Sequence, residues 1–198
     1  MVGRNQELMA QLQAMLDGRA AERMLYLWGE AGSGKTYLLQ ACAHACRRRG
    51  MTVDISGRGE AQAVIADHAD SWDAAQQQAV FAAYNRARQS GSLWLAAGRR
   101  PPAELPLMPE LRTRLGWGLV FQLHALDDGE KRAALAQHAE TLGFRLDPQV
   151  ADYLLVHTAR DMQSLLGVLE ALDRYSLETQ RPITLPLLRQ LLAGLKRA

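Results

Sequence analysis

The sequence predicts an α/β fold: a parallel sheet flanked by helices, followed by a small all-helical lid. Three observations point there. A glycine-rich loop, Gly29–Thr36, lies between an apolar run of strand length and a helical pattern. Strand and helix patterns then alternate through the first half of the chain, as parallel sheets require. After about residue 126 the strand patterns stop, and only helical periodicity remains. The expected division is therefore 1–126 for a base domain and 127–198 for the helical segment.

Taking the elements in order, Asn5 is placed to cap a helix over about 6–17, closed by Gly18. Met24–Trp28 reads as a buried strand, and a helix over 35–49 follows the glycine-rich loop. Arg47, Arg48 and Arg49 fall in its last turn, where cations suit the helix dipole, so this basic run reads as a helix end. A strand near 51–55 and a second over Gln62–Asp67 come next. Ser71 is placed to cap a helix over about 72–89. Ser92–Ala97 and Gly116–Leu123 read as further strands, with Gly98–Pro106 irregular between them. In the second half, Asp127 or Asp128 opens a helix to about 142 that Gly143 ends, and Asp147-Pro148 starts another. A third runs from about 161 to 179, and Pro186 starts a fourth. Leu154, Leu155, Leu165, Leu166, Leu169 and Leu172 recur at helical spacing and form the core of this segment.

The loop Gly29-Glu30-Ala31-Gly32-Ser33-Gly34-Lys35-Thr36 matches G-x-x-x-x-G-K-[ST]. Glycines let backbone N–H groups turn inward around an anion, and the helix that follows adds the partial positive charge of its N-terminus. Lys35 can reach β- and γ-phosphates, and Thr36 can ligate Mg²⁺. A hydrolase of this class needs a second strand ending in an acid that handles the metal, usually followed by a residue that activates water. Asp67 supplies the first acid, but His68 stands where the second is expected, and Asp70 is out of phase with it. Metal binding is therefore expected to survive and activation of water to be lost.

Composition bounds the possibilities. The 198 residues suffice for a substantial core, and 48% hydrophobic with 22% charged residues describes an ordinary globular protein. A net charge of +2 gives no strong field for autonomous nucleic-acid binding. No run approaches the ~18 apolar residues of a membrane span, no signal peptide is visible, and Cys42 and Cys46 read as buried free thiols, so a cytoplasmic setting is expected. The five histidines show no metal-like spacing.

A phosphate-binding sheet with a C-terminal helical lid resembles the AAA+ ATPases. Arg100-Pro101-Pro102, Pro109–Leu119 and Ala159–Leu165 resemble successive signatures of the ATPase domain of the replication initiator DnaA. The tail Leu172–Pro186 resembles more specifically the Hda family, DnaA-related regulators consisting of the AAA+ module alone, and Val2-Gly3-Arg4-Asn5 resembles that family's entry to its first helix. The resemblance implies an adenine nucleotide, ADP or ATP, bound with Mg²⁺ through Thr36 and Asp67. It implies that Asp161 belongs to a nucleotide-binding signature in the lid. Arg114, in Arg114-Leu115-Gly116-Trp117-Gly118, would be an arginine finger that points toward a nucleotide held by a neighbouring subunit; Arg112 is the next candidate. The implied partners are DnaA and the DNA-loaded sliding clamp, with self-association possible.

Three departures from the family pattern agree with one another. His68 follows Asp67, Ala97-Gly98-Arg99-Arg100 replaces a polar sensing segment, and Gln163 stands where a second sensor arginine would be. Together they imply a chain that holds nucleotide with little or no turnover of its own. The family's Gln-Leu-rich clamp-binding peptide is not among the first residues, and Gln190–Leu195 reads as core packing instead. Two other functions compete: an active AAA+ ATPase or remodelling factor in which His68 or Asp70 assists water, and an initiator-like binder of single-stranded DNA. No helix-turn-helix pattern follows the lid.

Overall fold

The computed structural model describes residues 4–159 and 161–195. Val2 and Gly3 of the expected entry signature, Arg160, and Lys196–Ala198 lie outside them. The chain divides into two compact units, 1–125 and 126–198.

In the first unit, strands β1 (Met24–Trp28), β2 (Val53–Asp54), β3 (Ala63–Ala66), β4 (Leu93–Gly98) and β5 (Leu119–Gln122) form one sheet in the order β2-β3-β4-β1-β5. Every pairing is parallel, with Tyr26 opposite both Ala96 and Val120, and Ala66 opposite Ala96. Side chains alternate between faces along a strand, so two cores form. Leu25, Leu27, Ile65, Leu93 and Leu95 pack with α1 (Gln6–Leu16) and α2 (Lys35–Arg48). Met24, Tyr26, Val64, Trp94 and Ala96 pack with α3 (Ala74–Ser90) and α4 (Pro109–Trp117). Both faces are covered, which explains the continuous apolar runs of β1, β3 and β4. Cys42 and Cys46 are buried free thiols on α2, and burial pushes the Cys42 thiol up to about 12.

Three local expectations are corrected. Asn5 precedes α1, but its side chain makes no capping bond. Its amide instead clips the backbone of His124: Nδ2 donates to the carbonyl at 2.9 Å and Oδ1 accepts from the N–H at 2.9 Å. Ser71 does not cap α3; its hydroxyl donates to the His68 carbonyl. Asp73 caps the helix in a reciprocal box with Gln76, because a carboxylate two residues nearer the first turn reaches its free N–H groups. The strand expected from Gly116 begins only at Leu119, since Gly116 and Trp117 close α4, a helix opened by Pro109.

The second unit holds α5 (Asp128–Leu142), α6 (Pro148–His157), α7 (Met162–Thr179) and α8 (Leu185–Leu195). Asp127 and Glu130 form a capping box on α5, and Asp147 caps α6. The leucine stripe of α6 and α7 is buried as its spacing requires, with Leu154, Leu165, Leu169 and Leu172 fully enclosed. Leu187 and Leu188 of α8 join this interior.

Candidate functional site

The carboxyl ends of β1 and β3 bring the glycine-rich loop, Lys35, Thr36 and Asp67 together; Arg112 and Arg114 are not part of this group and lie on α4. Trp28 ends β1, Gly29–Gly34 form the loop, and Lys35 begins α2, so the backbone N–H groups of a 14-residue helix open onto the loop. Gly34 has φ +97°, a left-handed conformation that costs a side-chain-bearing residue about 1–2 kcal/mol. The Lys35 ammonium is half-buried and donates to the carbonyls of Gly29 and Glu30, each at 2.7 Å, and to Ser33 Oγ at 3.2 Å. Burial pushes this ammonium down from its ordinary range, Asp67 and Asp70 pull it back up, and Arg99 pushes it down. A strong donor held against its own loop by neutral carbonyls has its positive charge only partly compensated. That is the electrostatic setting an anion completes.

Thr36 Oγ1 donates to Asp67 Oδ2 at 2.6 Å, across 31 residues of sequence. A hydroxyl and a carboxylate meeting beside a phosphate loop supply two oxygen ligands for a hard divalent cation. The Asp67 carboxylate also accepts from the His68 N–H at 2.7 Å, and Trp72 Nε1 donates to the Asp67 carbonyl. The His68 side chain is 75% exposed, with Nε2 3.6 Å from Asp67 Oδ2. Asp70 Oδ2 accepts from the Arg99 N–H at 2.5 Å.

Gly98, in the expected sensing segment, is tightly enclosed. A Cβ there would collide with the Tyr26 hydroxyl and press on Asp70 Oδ2 at 3.0 Å. That hydroxyl donates to the Arg100 carbonyl at 2.9 Å, while burial, then Asp70 and Asp67, push its phenol pKa up. A polar side chain at position 98 would displace this bond.

Arg114 lies on α4. No acid pairs with it among the described residues, and its Nε is buried without a hydrogen-bond acceptor. Its guanidinium carbon lies 3.8 Å from the Trp117 ring centroid. In the second unit Asp161 caps α7, its Oδ1 accepting from the Ser164 N–H at 2.9 Å, and that bond holds the carboxyl below its usual range. Gln163 follows one residue into the same helix. Sequence reasoning missed the Asn5–His124 clip, the role of Tyr26 and the bond of Asp70 to the Arg99 amide. These depend on pairings 119, 74 and 29 residues apart, which no local pattern encodes.

Known proteins resolve what this geometry belongs to. Residues 128–192 match the family model described as Hda, lid domain. Domain III of the Thermotoga maritima replication initiation protein DnaA superposes with a TM-score of 0.76 at 18% identity, covering 98% of this chain and 93% of that one. The 128–192 segment is thus similar to the Hda lid, and the chain as a whole shares the fold of the DnaA AAA+ domain. AMPPCP-bound DnaA from Aquifex aeolicus gives a TM-score of 0.67 at 19% identity, covering 87% of this chain and 62% of that one. The Thermotoga maritima RuvB Holliday junction branch migration motor gives 0.63 at 14% identity, covering 98% of this chain and 70% of that one. The fold is thus common to all three, and the similarity to Hda is carried by residues 128–192. The chain spans less than two thirds of the AMPPCP-bound DnaA.

Proposed function

We propose that this Hda-like protein is a nucleotide-holding regulator of replication initiation that stimulates hydrolysis of DnaA-bound ATP in trans. Gly29, Glu30, Ala31, Gly32, Ser33, Gly34, Lys35 and Thr36 form the phosphate cradle for an adenine nucleotide. The nucleotide-bound DnaA structures of the same fold support that choice of ligand. Thr36 and Asp67 would hold Mg²⁺, which would neutralise phosphate charge; a hydroxyl and a carboxylate fit a hard cation that takes few protein ligands. Asp161 acts through the start of α7, ordering the lid segment that carries Gln163.

Own turnover is weak or absent. Asp70 is committed to the Arg99 amide, His68 carries no carboxylate, and a side chain at Gly98 would have to displace the Tyr26 hydroxyl. Arg114 acts on the neighbour's nucleotide, where a guanidinium neutralises charge developing on the γ-phosphate. The observation that carries this reading is the Arg114 guanidinium itself, which no acid neutralises among the described residues. DnaA is the partner, a DNA-loaded clamp the setting and the cytoplasm the compartment.

The test is phosphate release from DnaA preloaded with labelled ATP, with DNA-loaded clamp present. Wild type is expected to accelerate release and Arg114→Ala to lose that acceleration, a loss of about 10³–10⁵-fold for a finger. Equal stimulation by both proteins would remove Arg114 from the role. Steady turnover of ATP by this protein alone would favour an ordinary AAA+ ATPase.

A further inference from the structure

One side of the first unit carries two arginines gathered on a single ring. The Arg114 guanidinium carbon lies 3.8 Å from the Trp117 centroid and 5.9 Å from that of Phe81 on α3. Arg88, also on α3, has its guanidinium carbon 5.5 Å from the same Trp117 centroid, and its Nη1 lies 3.4 Å from the Tyr84 hydroxyl. Trp117 is three residues beyond Arg114 on α4, the spacing that puts two helical side chains together. The indole is 52% exposed, so its body is not chiefly filling core. Arg114 makes no ion pair or side-chain hydrogen bond with the described residues, and its buried Nε has no acceptor. What holds this long side chain is therefore ring faces.

Resting on the action in trans proposed above, we infer that Trp117 is the positioning residue for Arg114. Free arginine side chains sample many rotamers, and ordering one opposes any interaction it makes on arrival. Stacking on Trp117 orders it beforehand and sets the plane of its planar fork, and so the direction in which its Nη groups donate. Arg88 occupies part of the same π surface as a second cation. A ring that only contacted a partner would govern affinity. A ring that orients the guanidinium governs the rate reached at saturation.

The experiment titrates wild type, Trp117→Ala, Trp117→Phe and Arg114→Ala against ATP-loaded DnaA with DNA-loaded clamp, recording maximal rate and half-saturating concentration separately. Trp117→Ala is expected to lower the maximal rate about 5–25-fold, with half-saturation moving less than about 2-fold. Trp117→Phe, which keeps a π face, is expected to recover most of it. A second measurement, by NMR, follows the Arg114 side-chain protons, assigned by their disappearance in Arg114→Ala. They are expected upfield in wild type from the indole ring current, and at ordinary positions in Trp117→Ala. Full maximal rate in Trp117→Ala, or a change confined to half-saturation, overturns the inference. If wild type fails to stimulate DnaA, the action in trans falls, and NMR decides the placement. An upfield shift lost in Trp117→Ala sustains it, and unshifted protons overturn it.

Discussion

Replacing Asn5 separates two physical roles that differ in size. Asn5 is 2% exposed and makes two 2.9 Å bonds to the N–H and carbonyl of His124. Asn5→Ala removes both and leaves two backbone groups without their partners at the end of β5. Each bond contributes about 0.5–1.5 kcal/mol net, and a buried group left unpaired costs about 1–3 kcal/mol, so the first unit should lose about 2–4 kcal/mol. Simple loss of a helix cap would cost about 1 kcal/mol. Asn5→Ser sharpens the contrast, because serine caps as well as asparagine but is too short for the clip. Urea unfolding followed by tryptophan fluorescence reads this unit alone, since Trp28, Trp72, Trp94 and Trp117 all lie within it. Hydrogen exchange at the His124 amide should accelerate in both variants. A loss below about 1 kcal/mol in Asn5→Ala, or full stability in Asn5→Ser, would refute the clip and restore the cap.

At the loop, Lys35→Ala should weaken binding of a fluorescent ADP analogue about 10–100-fold, the effect of losing charge-assisted bonds to phosphate; unchanged affinity would place the nucleotide elsewhere. Asp67→Asn should abolish the tightening of that binding by Mg²⁺ while sparing affinity in EDTA, and tightening equal to wild type would free Asp67 of the metal. In the second unit the Ser164 amide lowers the Asp161 carboxyl, so the cap's contribution is present above the ordinary carboxylate range and is lost as pH falls through the lowered value. The Ser164 amide resonance should accordingly hold constant through and above the ordinary carboxylate range and titrate only below it, with Asp161→Asn abolishing the titration. Cys42, with its thiol at about 12, should react with a disulfide reagent at pH 8 only when the protein unfolds; rapid labelling of native protein would contradict its burial.

Fold and site were legible to different depths, and the division follows sequence distance. β1, the phosphate loop and α2 lie within 25 consecutive residues, and each carries its own pattern of burial, glycine placement or helical spacing. The α5–α7 boundaries were equally readable because Asp127, Gly143, Asp147 and Asp161 are local cap signals. Asn5, by contrast, has the residue type and position of a cap and does something else. Its better partner lies 119 residues away, and tertiary geometry overrides the local preference. Arg114 falls between these cases. Its segment resembles a finger signature, but nothing in Arg114–Gly118 predicts that α3 brings Phe81 to Arg114 and Arg88 to Trp117. The Tyr26–Gly98–Asp70 contact is of that kind too: three unremarkable residues from separate segments close the position where a polar sensor would act. In this chain the phosphate-loop motif is thus written locally, whereas the contacts around Gly98 and Arg114 exist only once the sheet has brought distant segments together.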